Sequence, residues 1–397
     1  MKRTILFALL FSAFILSGLW AVDYGALIKG ELYIDGADGA EASGSLFFAP
    51  WISVPFDRAE LYISAGLNTS ISGEAYAAPE IFRLEYSFWR SSLFSFRVGR
   101  IGWQDPSLFI ANGRFDGAEF LFNTGKISVG ANVLYTGFLF EDTSYVNVSP
   151  ADPKDYGAGF SWDNFADTYF APRRLIASVY GEFPGFPSGR GNLYAGIIAQ
   201  FDLSDADDAF HTQYLLLRHS MTYKAFDLDV SGAAELENTA ESGVKPAFAF
   251  SVEGGYQLPT AMADKLSLGL AWASGKGSAT GAFFPITREA QSFVLQPILS
   301  GMMIIRAGYN ARILPSLSVE AGAHYFIRTD SDSFSAPYLE NNNYALGMEL
   351  NTGLLWVPFS DLVLSLKAGV FMPKTGSAWA DGAPVLWRIT LGTVFSF

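Results

Sequence analysis

The chain has 397 residues, of which 50% are hydrophobic, 16% aromatic and only 16% charged, with no cysteine and a formal charge of −13. The absence of cysteine excludes a disulfide scaffold and a lipoprotein anchor, and the acidic balance argues against nucleic acid as a partner. After Ala21 no apolar run reaches the roughly 18 residues of a membrane-spanning helix, so the apolar content must be dispersed over many short segments, as alternating strands do.

Residues 1–21 read as a secretory signal peptide: Lys2 and Arg3 precede the apolar run Thr4 to Leu16, and small residues lead to a cleavage site after Ala21. Residues 22–397 then form one domain. Its first strand is expected from Tyr24 to Asp35, with Ala26, Ile28, Leu32 and Ile34 on one face and Lys29, Glu31 and Tyr33 on the other. The same period of two recurs from Arg58 to Asn68, with Ala59, Leu61, Ile63, Ala65 and Leu67 opposite Arg58, Glu60, Tyr62 and Ser64. It recurs again at Phe82, Leu84, Tyr86 and Phe88, backed by Arg83, Glu85 and Ser87, and at Phe94, Phe96 and Val98, backed by Ser95 and Arg97. Arg100 to Gly113 reads as a loop, and Arg114 to Phe122 resumes the alternation. Asn123-Thr124-Gly125 signals a hairpin into Ile127–Tyr135. The span from Gly137 to Phe170 is the longest gap, acidic and aromatic. It is expected as a solvated surface loop, with an inward constriction, a cap over the mouth or divalent-cation binding as alternatives. The glycine-rich stretch from Ser274 to Gly281 lacks the spacing of a phosphate loop and reads as a flexible loop.

The last eleven residues close the pattern. Trp387, Ile389, Leu391, Thr393, Phe395 and Phe397 fall on one face, and Arg388, Thr390, Gly392, Val394 and Ser396 on the other. Aromatic residues at both ends of an apolar face place rings at two membrane–water interfaces. This segment resembles the closing strand of outer-membrane β-barrels. That resemblance implies that Trp387, Phe395 and Phe397 form an assembly signal read by the barrel-assembly machinery. The run Arg97-Val98-Gly99-Arg100 through Phe115-Asp116-Gly117 is similar to the strand–loop–strand of large porin-like barrels, including the alginate-export and substrate-specific porin families. Connections alternate long and short along the chain. The expected fold is an all-β, transmembrane, antiparallel up-and-down barrel of roughly 16–18 strands, with 18 the best count, in the bacterial outer membrane.

In that phase the charges collect on inward positions. The pore-lining set is Lys29, Glu31, Arg58, Glu60, Arg83, Glu85, Arg97, Glu119, Glu320, His324, Arg328, Glu349, Lys367 and Arg388. These residues form either wall-stiffening salt bridges or a selectivity zone, and Arg58, Arg83 and Arg97 are expected side by side as a basic row. His219 is flanked by Ser220, but neighbours on a strand point to opposite faces, so no hydrolase triad is expected. No His and carboxylate cluster has metal-ligand spacing. The function expected is a non-enzymatic, cofactor-free channel for passive diffusion of small solutes or ions. The alternative is an adhesin or ligand-binding barrel with a filled lumen. The expected partners are outer-membrane lipid, the assembly machinery and small solutes.

Overall fold

The computed structural model describes residues 22–397 apart from 38, 73, 92, 150–151, 153–155, 157–159, 187–188, 205–208, 240–242 and 341–342, and describes no side chains at 71–84 and 89–91. The segment read as a signal peptide lies outside the described residues. The strands are β1 (Asp23–Gly36), β2 (Ala40–Pro55), β3 (Ala59–Ser72), β4 (Glu74–Ser91), β5 (Phe94–Gln104) and β6 (Asn112–Asn123). There follow β7 (Ser128–Tyr135), β8 (Arg174–Pro184), β9 (Gly191–Asp202), β10 (His211–Tyr223), β11 (Phe226–Thr239) and β12 (Gly243–Gln257). The last six are β13 (Lys265–Ala273), β14 (Met302–Leu314), β15 (Leu317–Arg328), β16 (Ala345–Phe359), β17 (Leu362–Met372) and β18 (Leu386–Ser396).

Each strand pairs antiparallel with the next, and β18 returns to β1, so the 18-stranded sheet has no free edge. Closure removes the unpaired N–H and C=O groups that lipid cannot satisfy. At the seam Ile34 meets Ile389, Leu32 meets Leu391 and Ile28 meets Phe395. The Phe397 amide donates to the Ala26 carbonyl at 3.2 Å, and the Ala26 amide donates back at 2.9 Å.

The alternation dictates the two faces. Around the wall Leu32, Phe48, Leu67, Val98, Phe120, Val133, Val179, Ile197, Leu215, Leu268 and Leu391 are all exposed. They share the outer phase through the cross-strand register. An apolar band of this kind needs lipid rather than water beside it. Charged residues break the pattern near the long-loop end, where Arg114 and the pair Arg100 and Asp116 fall on the outer phase. Arg100 and Asp116 face each other on the outer phase, joined by two hydrogen bonds of 2.9 and 2.8 Å, with the Phe138 carbonyl accepting a third at 3.0 Å. Mutual pairing and a third bond to a backbone carbonyl make such a pair tolerable outside water. The expected 100–113 loop is correspondingly short: β5 and β6 continue through it and leave only 105–111 as the connection.

The longest links, 136–173, 274–301, 329–344 and 373–385, all sit at one end of the barrel, and the links at the other end have two to seven residues, the pattern of outer loops and periplasmic turns. Asn123-Thr124-Gly125 turns tightly: Gly125 adopts φ +80°, and its amide donates to Asn123 Oδ1 at 2.7 Å. The long connections depart from the reading as surface loops. The 274–301 segment folds into the barrel, where Phe283, Ile286, Val294 and Leu299 are buried against inner-wall residues including Tyr214, Ile304, Phe326 and Phe371. Ile286 and Thr287 donate backbone hydrogen bonds to the Ile110 carbonyl, and Asn147 donates to the Ile286 carbonyl. The 105–111, 136–173 and 274–301 connections are therefore woven into one inner layer. That layer buries apolar loop residues which would otherwise face water, a gain of about 25 cal/mol per Å².

Candidate functional site

The lumen is built by register. Inner-phase positions run from Lys29 and Glu31 on β1 through Glu60 on β3, Glu85 on β4 and Arg97 on β5, opposite Glu119 on β6. Arg97 Nε donates to Glu119 at 2.9 Å, and the Tyr180 hydroxyl donates to the other Glu119 oxygen at 2.8 Å. Lys29 and Glu31 stay exposed to the interior, with the Tyr33 hydroxyl on Glu31. Glu60 accepts from Ser53 at 2.5 Å, and Ser87 donates to Glu85 at 3.2 Å.

Two members of the expected basic row fall elsewhere. Arg58 lies in the β2–β3 turn, 3.6 Å from Asp57, because the strand begins one residue later at Ala59. Arg83 pairs across the ladder with Ser64, whereas Arg97 pairs with Ser87 further down the same strand. The inner position of Glu85 separates those rungs, so the backbone does not set Arg83 and Arg97 side by side. The Arg83 side chain is outside the described residues.

The later members divide into two kinds. Lys367 reaches Glu320 at 3.3 Å across Gly353 and lines open space. His324 sits between Arg306 and Glu349, with Asn351 Nδ2 3.3 Å from its Nδ1. Arg388 binds Asp35 at 2.9 Å and the Phe293 carbonyl at 3.3 Å. Glu349 is fully buried and accepts the amides of Phe293 and Leu295, each at 2.9 Å, so it anchors the 274–301 loop. Arg328 is buried and donates to the carbonyls of Ser331, Glu340 and Asn343, which makes it a loop holder.

Part of the acidic 137–170 stretch is committed to structure, while Asp142, Asp163 and Asp167 stay exposed. Asp152 and Asp202 both bind the buried Arg174 guanidinium, and all three side chains are sealed from solvent. Burial beside Asp152 pushes the Tyr156 phenol up to about 12. Around Phe140, Phe160, Phe165 and Tyr169 an aromatic cluster completes this cap. In the 105–111 loop Asp105 is completely buried. Its carboxylate accepts the amides of Ser107, Ile110 and Ala111 at 2.8–2.9 Å, yet burial still raises its pKa. Leu108, at the tip of the same loop, is held at φ +70°, a conformation costly for a branched side chain.

Sequence reasoning left the middle strands without a phase and so missed a second charged group. Arg218 binds Asp229 at 2.8 Å and the Pro106 carbonyl at 3.1 Å, Lys265 binds Asp227 at 2.9 Å, and Arg306 binds Gln291 at 2.5 Å. With Glu253 they surround a chamber of about 350 Å³ between the tips of the 105–111 and 274–301 loops. A neighbouring chamber of about 520 Å³ is lined by Arg97, Glu119, Tyr180, Glu182 and Tyr194. The signal was present: Leu215 and Leu217 are apolar and outward, which turns Arg218 inward. Gln291, on a loop without period, left no such trace. His219 faces outward and meets the Asn192 carbonyl at 3.2 Å, on the opposite side of the wall from Arg218 and Ser220.

A closed antiparallel barrel with an apolar outer face, a charged inner face and inward-folded loops is the architecture of a large porin-type membrane barrel. No family model matches the chain, and no curated protein matches its sequence. Solved structures do match in fold. OccK11 (OpdR) of Pseudomonas aeruginosa superposes with a TM-score of 0.60 at 12% identity, covering 95% of this chain and 96% of that one. OccK2 (OpdF) of the same organism, solved in complex with glucuronate, gives 0.62 at 12% identity over 95% and 98%. Its outer membrane protein opdK gives 0.61 at 10% identity over 95% and 98%.

Proposed function

We propose that this chain is a bacterial outer-membrane channel for passive diffusion of small solutes. The observation that carries this reading is the division of the wall: apolar side chains face outward all round, while charged inner positions such as Lys29 and Glu31 remain exposed to the lumen. A charge at the lipid midplane costs about 2–4 kcal/mol, whereas the same charge in a hydrated lumen tunes selectivity. Within this reading Lys29, Glu31, Glu60, Glu85, Arg97, Glu119, Glu320, His324, Lys367 and Arg388 border the passage, and Arg83 joins them by ladder phase. Residues 1–21 direct export. Trp387, Phe395 and Phe397 present the closing strand to the barrel-assembly machinery.

The test is single-channel recording in planar bilayers. Purified protein is expected to open stepwise ion currents, and replacing Arg97 with Gln should move the reversal potential toward cations under a salt gradient. A membrane that stays electrically tight would instead support a ligand-binding barrel with a filled lumen. Glucuronate, the ligand of one similar structure, is a suitable first solute for current-block measurements. Removing Phe397 should lower the yield of heat-modifiable folded barrel; an undiminished yield would remove the assembly role.

A further inference from the structure

Three times in the described lumen, opposite charges flank a glycine on an intervening inner position. On β15–β17, Glu320 and Lys367 lie either side of Gly353 and close over it at 3.3 Å. At the turn end of β11–β13, Asp227 and Lys265 close over Gly255 at 2.9 Å. A Cβ at Gly255 would fall 2.2–2.6 Å from Lys265 and Asp227, and one at Gly353 2.6 Å from Glu320, so either would crowd its bridge. The third set is Glu253 on β12, Gly269 on β13 and Arg306 on β14, on one rung as in the first set, whereas Lys265 reaches over Gly255 diagonally from the rung of Gln257.

This set does not close. Gln291 of the inward-folded loop holds Arg306 Nη2 at 2.5 Å, while the buried Arg306 Nε has no partner. Glu253 is exposed to the lumen, and among the described residues no hydrogen bond or ion pair takes up its carboxylate. A Cβ on Gly269 would meet only ordinary contacts at 3.4–3.7 Å, so nothing overhangs the notch. Two strand spacings, about 9.6 Å, separate the flanking backbones. A carboxylate and a guanidinium thus face one gap, each with capacity to spare, in the chamber of about 350 Å³ that also holds Arg218, Asp229, Ser251 and Gln291.

We propose that the Glu253–Gly269–Arg306 notch is a binding site for small zwitterions, and this rests on the channel reading above. Arg306 takes the carboxylate of the solute through its free donors, and Glu253 takes the ammonium. The guest supplies the ion pairs that the other two sets make internally. A plain anion gains Arg306 but leaves Glu253 facing it, and like charge at such range is unfavourable.

The test uses the full-length channel in planar bilayers, with KCl current as the baseline. 4-Aminobutyrate is added against butyrate and butylammonium at matched concentration. The zwitterion is expected to reduce the current saturably, at roughly tenfold lower concentration than either singly charged analogue. Glu253→Gln should abolish that preference, and Gly269→Val should do so by filling the notch. Glu320→Gln, at the closed set, should leave the preference intact. Equal block by all three solutes, or a preference that survives Glu253→Gln, overturns the proposal while the KCl current still upholds the channel. No KCl current at all overturns the channel reading itself.

Discussion

The wall has two unlike arcs. On β1–β3 the inner Lys29 and Glu31 are exposed, and no described residue of these strands joins the buried loop cluster. On β14–β17 the 274–301 loop covers part of the same inner phase, so that Ile304, Phe326, Glu349 and Phe371 are fully buried. Both arcs are antiparallel ladders. What differs is whether a loop lies against the wall, and this decides whether an inward charge contacts solute or holds the protein together. Solute is therefore expected to contact the exposed inner charges of β1–β3, and on β15–β17 only those the loop leaves open, such as Glu320 and Lys367.

The largest effect should come from the cap over the packed side. Arg174→Met leaves Asp152 and Asp202 buried without a cation, and stripping one partner from a buried ion pair costs about 3–5 kcal/mol. The urea midpoint of the heat-modifiable barrel should fall accordingly; an unchanged midpoint would mean the cap is not coupled to the wall. Glu349→Ala comes next. It orphans the amides of Phe293 and Leu295 at about 1–3 kcal/mol each, and single-channel records should become larger and noisier as the loop loosens. Quiet, wild-type traces would show that other contacts hold the loop.

The open arc should respond in the opposite way. Replacing Lys29 and Glu31 with Gln, singly, should leave stability within about 0.5 kcal/mol while moving the reversal potential in opposite directions. A stability loss matching that of Glu349→Ala would erase the distinction between the arcs.

The smallest effect concerns acid pH. Asp330, in the 329–344 loop, accepts the amides of Lys276, Asp332 and Ser333 at 2.6 Å as well as the Ser333 hydroxyl. Burial works to raise its pKa, but these donors together hold it below the usual carboxylate value. A depressed folded pKa gives stability that is complete above the unfolded aspartate value of about 3.9 and lost as pH falls through the folded one. Current noise should therefore rise below about pH 4 in wild type, and in Asp330→Asn be present already at neutral pH without that step.

Much of this was legible from the sequence because lipid imposes a strict rule on one face. Ala59-Leu61-Ile63 or Trp387-Ile389-Leu391 can satisfy that rule in only one phase, and the inward residues follow from parity. Arg58 slipped because parity gives the face but not the residue at which a strand starts. The inward fold of 274–301 was illegible for a different reason. Its burial depends on contacts with Ile110, Asn147 and Glu349, all far away in sequence, and no local period marks them. Gly275 and Gly281 looked like a flexible loop, whereas each lies against a carboxylate, Asp330 and Glu237 respectively.

The seam between β1 and β18 carries a consequence for how the chain reaches this state. Asp35 and Arg388, which meet there, are 353 residues apart, against 16 for the Arg100–Asp116 hairpin. By loop-closure entropy that difference amounts to only about 3 kcal/mol. The seam is therefore a kinetic obstacle more than a thermodynamic one: it has the highest contact order in the molecule, and such contacts form slowly. Until it forms, β1 and β18 are two bare edges with unpaired backbone groups, the feature by which sheets add foreign strands. The interval before closure is when this chain is most exposed to aggregation, and shielding those two edges is the main service that any folding partner can render it.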